Sequence, residues 1–273
     1  MPSQSFATNK SLNAPNVPTI ARLARDDGHD IAYRYLPASG FGRRLPGVIF
    51  LSGFTSDMNG SKVTALEEFC RRRGQAFVCF DYFAHGQTSG SFTSGTIGRW
   101  ADDAAAVLDS LTTGPQILVG SSMGGWLMLL AALRRPQRIH ALIGIAAAPD
   151  FTEDLIWAEL TSDERARLQR DGQLPQPSAY AADPYVITQL LIDEGRQHLL
   201  LRGPIGLDCP VRLLHGVADP HVPVAVSLQL ANRLTSQDVQ LRLVKDGDHR
   251  LARLQDLRLL FDEVTSLSSP LSA

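Results

Sequence analysis

A membrane-spanning helix is the first thing missing. Nowhere do apolar residues run for the roughly 20 positions that a bilayer demands. An excess of one charge is missing too. A formal net charge of −2 gives no broad field to attract nucleic acid or an anionic membrane surface. Cysteine is scarce: Cys70, Cys79 and Cys209 are odd in number, widely spaced and set among apolar residues. That pattern argues against a disulfide framework and predicts free thiols in a reducing compartment. No C-x-x-C or H-x-x-x-H pair points to a metal. Residues 1–6 lack the charged-then-apolar pattern of a secretory signal, so a cytoplasmic location is expected. There is no internal repeat and no low-complexity tract. What remains is 273 residues, 44% hydrophobic and 20% charged, long enough to bury a sizeable core.

Hydrophobic patterning divides the chain. Residues 1–18 are rich in Ser, Asn and Pro and read as a flexible N-terminal arm. Residues 19–25 and 30–35 alternate polar with apolar around Asp26-Asp27-Gly28-His29, the pattern of a half-exposed antiparallel hairpin at a sheet edge. From Pro46 the pattern changes. Residues 47–51, 76–80, 116–119 and 141–147 are continuous apolar runs, as in strands buried on both faces. Helical periodicity fills the gaps over 61–73, 96–111 (with Thr96 as N-cap) and 124–135. Apolar strands alternating with helices predict an α/β fold, a mostly parallel central sheet with helices on both faces. The alternation breaks after Pro149. Residues 149–207 hold helical pieces, 155–169 and 186–198, but no core strand, and read as a small helical lid inserted over the sheet. Strands at 211–215 and 239–244 and helices at 224–233 and 251–267 resume the pattern. The expected organisation is a core of 19–148 and 208–273, with the lid between.

One stretch organises the rest. Gly120-Ser121-Ser122-Met123-Gly124 reads G-x-S-x-G, between a strand-type run and a helix. A serine on so sharp a turn crowds its backbone neighbours, so positions two before and two after it must be nearly free of side chain. The turn lifts the Ser122 hydroxyl clear, at a helix N-terminus whose N–H groups favour negative charge. Alone the motif is weak, because a small-residue turn between strand and helix reads the same.

In open parallel sheets function gathers at the carboxyl ends of the strands. Ser122 is the nucleophile candidate and needs a base within hydrogen-bond reach. His249, on the loop after the last strand, is that base. Asp219, on the loop after the strand ending at Leu214, is the orienting acid. The backbone N–H groups of Met123 and Phe54 are the candidate oxyanion hole. Among seven histidines, His29 and His140 read as surface groups, His198 belongs to the lid and His215 closes a strand and packs. His221 lies beside Asp219 on one loop, too close in chain to be oriented by it. His85 is a real competitor, because its loop follows the second buried strand. Asp246 and Asp248 rival Asp219 but more simply shape the turn of His249. Trp157, Leu160 and Tyr180, with Leu155 and Ile156, are candidates to line an acyl pocket, although lid packing explains each equally well.

The chain order serine, acid, histidine is that of the α/β-hydrolase fold, and the sequence resembles the serine hydrolases of that superfamily. The likeness runs from about residue 46 to 267. It is densest over residues 53–62, Phe80-Asp81-Tyr82, residues 114–129 around Ser122, and Arg212-Leu213-Leu214-His215-Gly216. More closely, these segments resemble a group of mitochondrial acyl-glucuronide esterases and palmitoyl-protein thioesterases. The arm does not read as an Arg-rich mitochondrial presequence, so the expectation stays cytoplasmic, with the mitochondrial matrix as the alternative in a eukaryote. By matching position the resemblance puts the catalytic residues at Ser122, Asp219 and His249. It implies cofactor-independent hydrolysis of a carboxylic ester or thioester through an acyl-enzyme, with a small-molecule acyl substrate and no nucleic-acid partner. The same residues could serve a lactone or a carbon–carbon bond. A catalytically idle binding protein is disfavoured, because every position of the constellation is filled.

Overall fold

The computed structural model describes residues 19–176 and 185–269; the expected arm and Tyr180 lie outside them. In chain order the strands are β1 (Ala21–Ala24), β2 (Asp30–Leu36), β3 (Gly47–Leu51), β4 (Phe77–Phe80), β5 (Gln116–Ser121), β6 (Ile139–Ile145), β7 (Gln173–Gln176), β8 (Tyr185–Thr188), β9 (Val211–Gly216) and β10 (Val239–Val244). The helices are α1 (Ser61–Arg73), α2 (Ile97–Leu111), α3 (Met123–Arg134), α4 (Ser162–Asp171), α5 (Gln189–Gly195), α6 (Val224–Arg233) and α7 (Leu254–Leu267). Eight strands form one sheet in the order β1-β2-β4-β3-β5-β6-β9-β10. The β1–β2 and β2–β4 pairs are antiparallel, and every pair from β4 to β10 is parallel. This is the α/β-hydrolase fold, with the expected hairpin at its edge.

The continuous apolar runs have a direct cause. Val48 and Phe50 of β3, Ile117 and Val119 of β5, and Ala141 and Ile143 of β6 pack on one face with Val63 and Leu66 of α1 and Leu260 and Val264 of α7. Their neighbours Ile49, Leu118 and Leu142 point the other way, into a second core with Trp100 of α2, Trp126 of α3 and Leu230 of α6. Side chains of a strand alternate between faces. With both faces dry, the middles of β3, β5 and β6 are continuously apolar, and the buried polar residues Gln116 and Ser121 fall at the ends of β5. Thr96 caps α2 as the sequence predicts, its side chain accepting from the Arg99 N–H.

The excursion between β6 and β9 departs from the expectation of helices alone. Residues 155–169 do not form one helix. A wide π-type turn at Thr152–Trp157 comes first, and α4 starts afresh at a Thr161–Glu164 capping box. Residues 186–198 also divide. The β-branched Val186-Ile187-Thr188 extend as β8, which pairs antiparallel with β7, and α5 begins only at Gln189 under a Thr188 cap. A two-stranded ribbon therefore sits beside the helices.

Asp150, just beyond β6, ties this excursion down. Its buried carboxylate accepts from the Leu200 N–H at 2.7 Å and the Leu201 N–H at 2.8 Å. Asp150→Ala leaves both donors without that acceptor. We expect a loss of roughly 1–3 kcal/mol for each in urea denaturation, and an unchanged midpoint would contradict the anchoring role.

Candidate active site

The elbow is as sharp as its motif requires. Ser122 joins β5 to α3 at φ +55°, ψ −121°, a conformation L-residues rarely adopt. Its N–H donates to the Ile145 carbonyl at 2.9 Å, and its carbonyl accepts from Gly125 at 2.8 Å and Ala148 at 3.1 Å. These bonds hold the turn from both sides. A Cβ on Gly124 would collide with the Leu51 carbonyl, and one on Gly120 with the Gly124 carbonyl. Only glycine lets β3, β5 and α3 approach so closely.

Three side chains from distant parts of the chain converge here. His249 Nε2 lies 3.1 Å from Ser122 Oγ. His249 Nδ1 lies 2.8 Å from Asp219 Oδ2. With the proton on Nδ1 donated to the carboxylate, Nε2 is left to accept from the hydroxyl. The other oxygen, Asp219 Oδ1, accepts from the His221 N–H at 2.8 Å and the Val222 N–H at 3.0 Å. Burial pushes this carboxyl up, but the hydrogen bonds from His249, Val222 and His221 outweigh it and hold it below its ordinary value of 3.8. The group is thus a carboxylate at neutral pH.

The rivals have other work. His215 is fully buried, with Nε2 donating to the Val222 carbonyl at 2.9 Å and Nδ1 accepting from Ser227 Oγ at 2.6 Å. It thus braces the Asp219 loop from below. His85 is buried among Tyr82, Phe92 and Trp100, with Nδ1 on the Phe83 carbonyl, and burial pushes its pKa down. His198 pairs with Glu194 at 2.6 Å. Asp248 caps the turn after His249, accepting from the Arg250 and Leu251 N–H groups, while Asp246 pairs with Arg253.

Met123 opens α3, where the first N–H groups have no intrahelical partner. Phe54 follows β3 on a loop fixed from several directions. The Met58 N–H of that loop donates to Asp81 Oδ1 at 2.7 Å, and its carbonyl accepts from Arg34 at 2.7 Å. The Phe54 ring is seated among Phe92, Trp100, Phe151 and Tyr185, with centroids 5.2–5.9 Å away. Beside Ser122 opens a cleft of about 240 Å³ walled by Ser52, Phe54, Ser56, Lys62, His249 and Arg250 among others. Trp157 and Leu160 are not among its walls. The Trp157 ring is covered by the guanidinium groups of Arg165 and Arg196, and Leu160 packs into the core. The sequence reasoning passed over Lys62 and Arg250. Arg250 follows His249 directly, which is a signal in the sequence, but nothing local links Lys62 to a partner 188 residues away. Among the described residues, no cluster of three or more His, Cys, Asp or Glu could hold a metal ion.

A sheet of this order with a serine elbow, histidine and carboxylate at its edge defines an α/β-hydrolase. Residues 46–255 match the family model Hydrolase_4, described as serine aminopeptidase, S33, and the chain belongs to this family of serine hydrolases. The mitochondrial palmitoyl-protein thioesterase ABHD10 of Mus musculus is 42% identical over 255 residues, spanning 93% of this chain and 84% of that protein. The solved structure of the mouse α/β-hydrolase domain-containing protein 10 superposes with a TM-score of 0.83 at 40% identity, over 91% of this chain and 98% of its own. A putative hydrolase from Agrobacterium vitis S4 superposes with a TM-score of 0.87 at 36% identity, over 93% and 99%.

The Asp219 geometry has a pH signature. A carboxyl held below its ordinary value adds stability that is fully present above 3.8 and is lost as pH falls through the lower folded value. Asp219→Asn removes that contribution. The stability gap between wild type and variant is expected to shrink in urea titrations as pH drops below about 4; a gap constant from pH 3 to 6 would contradict it.

Proposed function

We propose that the protein hydrolyses carboxylic esters or thioesters through an acyl-enzyme on Ser122. The observation that carries this reading is the relay of 3.1 Å and 2.8 Å from Ser122 through His249 to Asp219. Ser122 Oγ attacks the acyl carbon as His249 Nε2 takes its proton. Asp219 holds the imidazole in the required tautomer and stabilises the imidazolium. The negative acyl oxygen is received by the Phe54 and Met123 N–H groups, the second at the positive end of α3. His249 then protonates the departing alcohol or thiol. A water molecule, deprotonated by the same imidazole, releases the acid and restores Ser122. None of these steps calls on a metal or cofactor.

Several features support an acyl substrate. The thioesterase likeness spans nearly the whole chain. The cleft beside Ser122 is small and mixed in polarity, suited to a small-molecule ester or thioester. The excursion between β6 and β9 is read as the lid over this site, because Phe151 and Tyr185 from it pack on Phe54. Trp157 and Leu160 of this excursion, with Tyr180 outside the described residues, remain proposed acyl contacts. No described helix is long and apolar enough to cross a membrane. All three cysteines are free thiols, in keeping with a reducing compartment such as the cytoplasm.

Purified protein is expected to hydrolyse chromogenic short-chain esters and acyl thioesters. Ser122→Ala should reduce this to background, and Asp219→Asn should lower kcat by about 10⁴-fold. Assays on esters, thioesters and lactones at matched acyl length rank the substrate classes. Retention of wild-type turnover by Ser122→Ala overturns the assignment.

A further inference from the structure

Lys62 is the basic residue of α1 that faces the cleft, together with Ser122 and His249. It stands in the first turn of the helix, directly after the loop that carries Phe54. Its Nζ donates to the carbonyl of Arg250 at 2.5 Å. Arg250 is the residue immediately after His249, so this bond joins the histidine loop to the helix that follows the Phe54 loop. The histidine loop needs such a tie. It leaves the edge strand β10, and Leu251 within it holds a strained φ of +42°. Asp248 fixes the N–H side of the turn, through Arg250 and Leu251. Lys62 fixes the carbonyl side.

We propose that Lys62 is a positioning residue for His249, holding the imidazole loop at the distance from Ser122 that proton transfer requires. The proposal rests on the reading of His249 as the base. Lys62 touches no reacting atom; it acts through the Arg250 backbone. A charge-assisted bond to a carbonyl is stronger than a neutral one, so the grip depends on the ammonium. Burial, with Arg250 in support, pushes the Lys62 pKa down to about 8, while Asp248 and Asp256 oppose the fall. Asp57 and His249 also line the cleft that Lys62 faces. As pH rises through 8 the charge is lost and the grip weakens. Turnover then falls on the alkaline side because the histidine loop loosens.

The test is steady-state hydrolysis of an uncharged chromogenic acetate ester from pH 5.5 to 9.5. Wild type, Lys62→Met, Lys62→Arg, Ser122→Ala and His249→Ala are compared, with the folded fraction of each taken from circular dichroism. A misplacement near 1 Å can cost about 10²-fold. Lys62→Met is therefore expected to lower kcat by about 10–100-fold, with KM changed by less than about 3-fold. It should also lose the alkaline limb near pH 8. Lys62→Arg, which stays charged, should recover part of kcat and keep turnover level to pH 9.5. If Lys62→Met fails to fold, Lys62→Gln takes its place with the same expectations. A variant with wild-type kcat and an intact alkaline limb overturns the proposal, as does a loss confined to KM. Activity surviving in Ser122→Ala or His249→Ala overturns instead the reading beneath it.

Discussion

The turn at Ser122 is the constraint from which the rest of the site follows. A non-glycine residue at φ +55° is unfavourable on its own, and it persists only where the surroundings hold it. Here β6 supplies the acceptor for the Ser122 N–H, and Gly125 and Ala148 cover its carbonyl. The arrangement needs β3, β5 and α3 closer together than any side chain permits, which is why Gly120 and Gly124 flank the serine. Once the elbow is set, α3 must run back across one sheet face, and its first N–H groups must point to where the hydroxyl stands. The parallel sheet and the serine are thus one design.

The histidine and carboxylate reach that elbow by a different logic. β9 and β10 are parallel neighbours, so their carboxyl ends deliver Asp219 and His249 to the same edge. The strands cannot set the loops themselves. His215 braces the Asp219 loop through Val222, Asp248 closes the turn beyond His249, and Lys62 reaches over from α1. Each of these acts on backbone rather than on the Ser122, His249 and Asp219 side chains. The site is therefore held by loop geometry, with the apolar sheet as a rigid base.

The sheet and the converging residues were legible in the sequence for physical reasons. Central strands buried on both faces must be continuously apolar; 47–51 is a strand as expected, while the run expected at 141–147 forms β6 two residues earlier, at Ile139–Ile145. G-x-S-x-G within a strand–helix context, followed by acid and then histidine, named the residues now found within hydrogen-bond reach. The excursion was less legible. Leu155, Ile156 and Trp157 look helical in sequence, yet they close a π-type turn, and the Thr161–Glu164 capping box starts a separate helix. Val186-Ile187-Thr188 sit in an apolar stretch that periodicity alone cannot assign, and pairing with β7 makes them a strand. Lys62 was invisible for another reason. Its bond spans 188 residues to a backbone carbonyl, and no local pattern records such a partner.

The central claim is a covalent acyl group on Ser122, and trapping that group tests it most directly. Rapid quenching of the protein with a medium-chain acyl thioester in acid, followed by intact-mass measurement and peptide mapping, is expected to find one acyl unit on the peptide that carries Ser122. The adduct should decay at the rate of acid release. An adduct on a cysteine peptide, or turnover with no adduct at any time, would contradict the account.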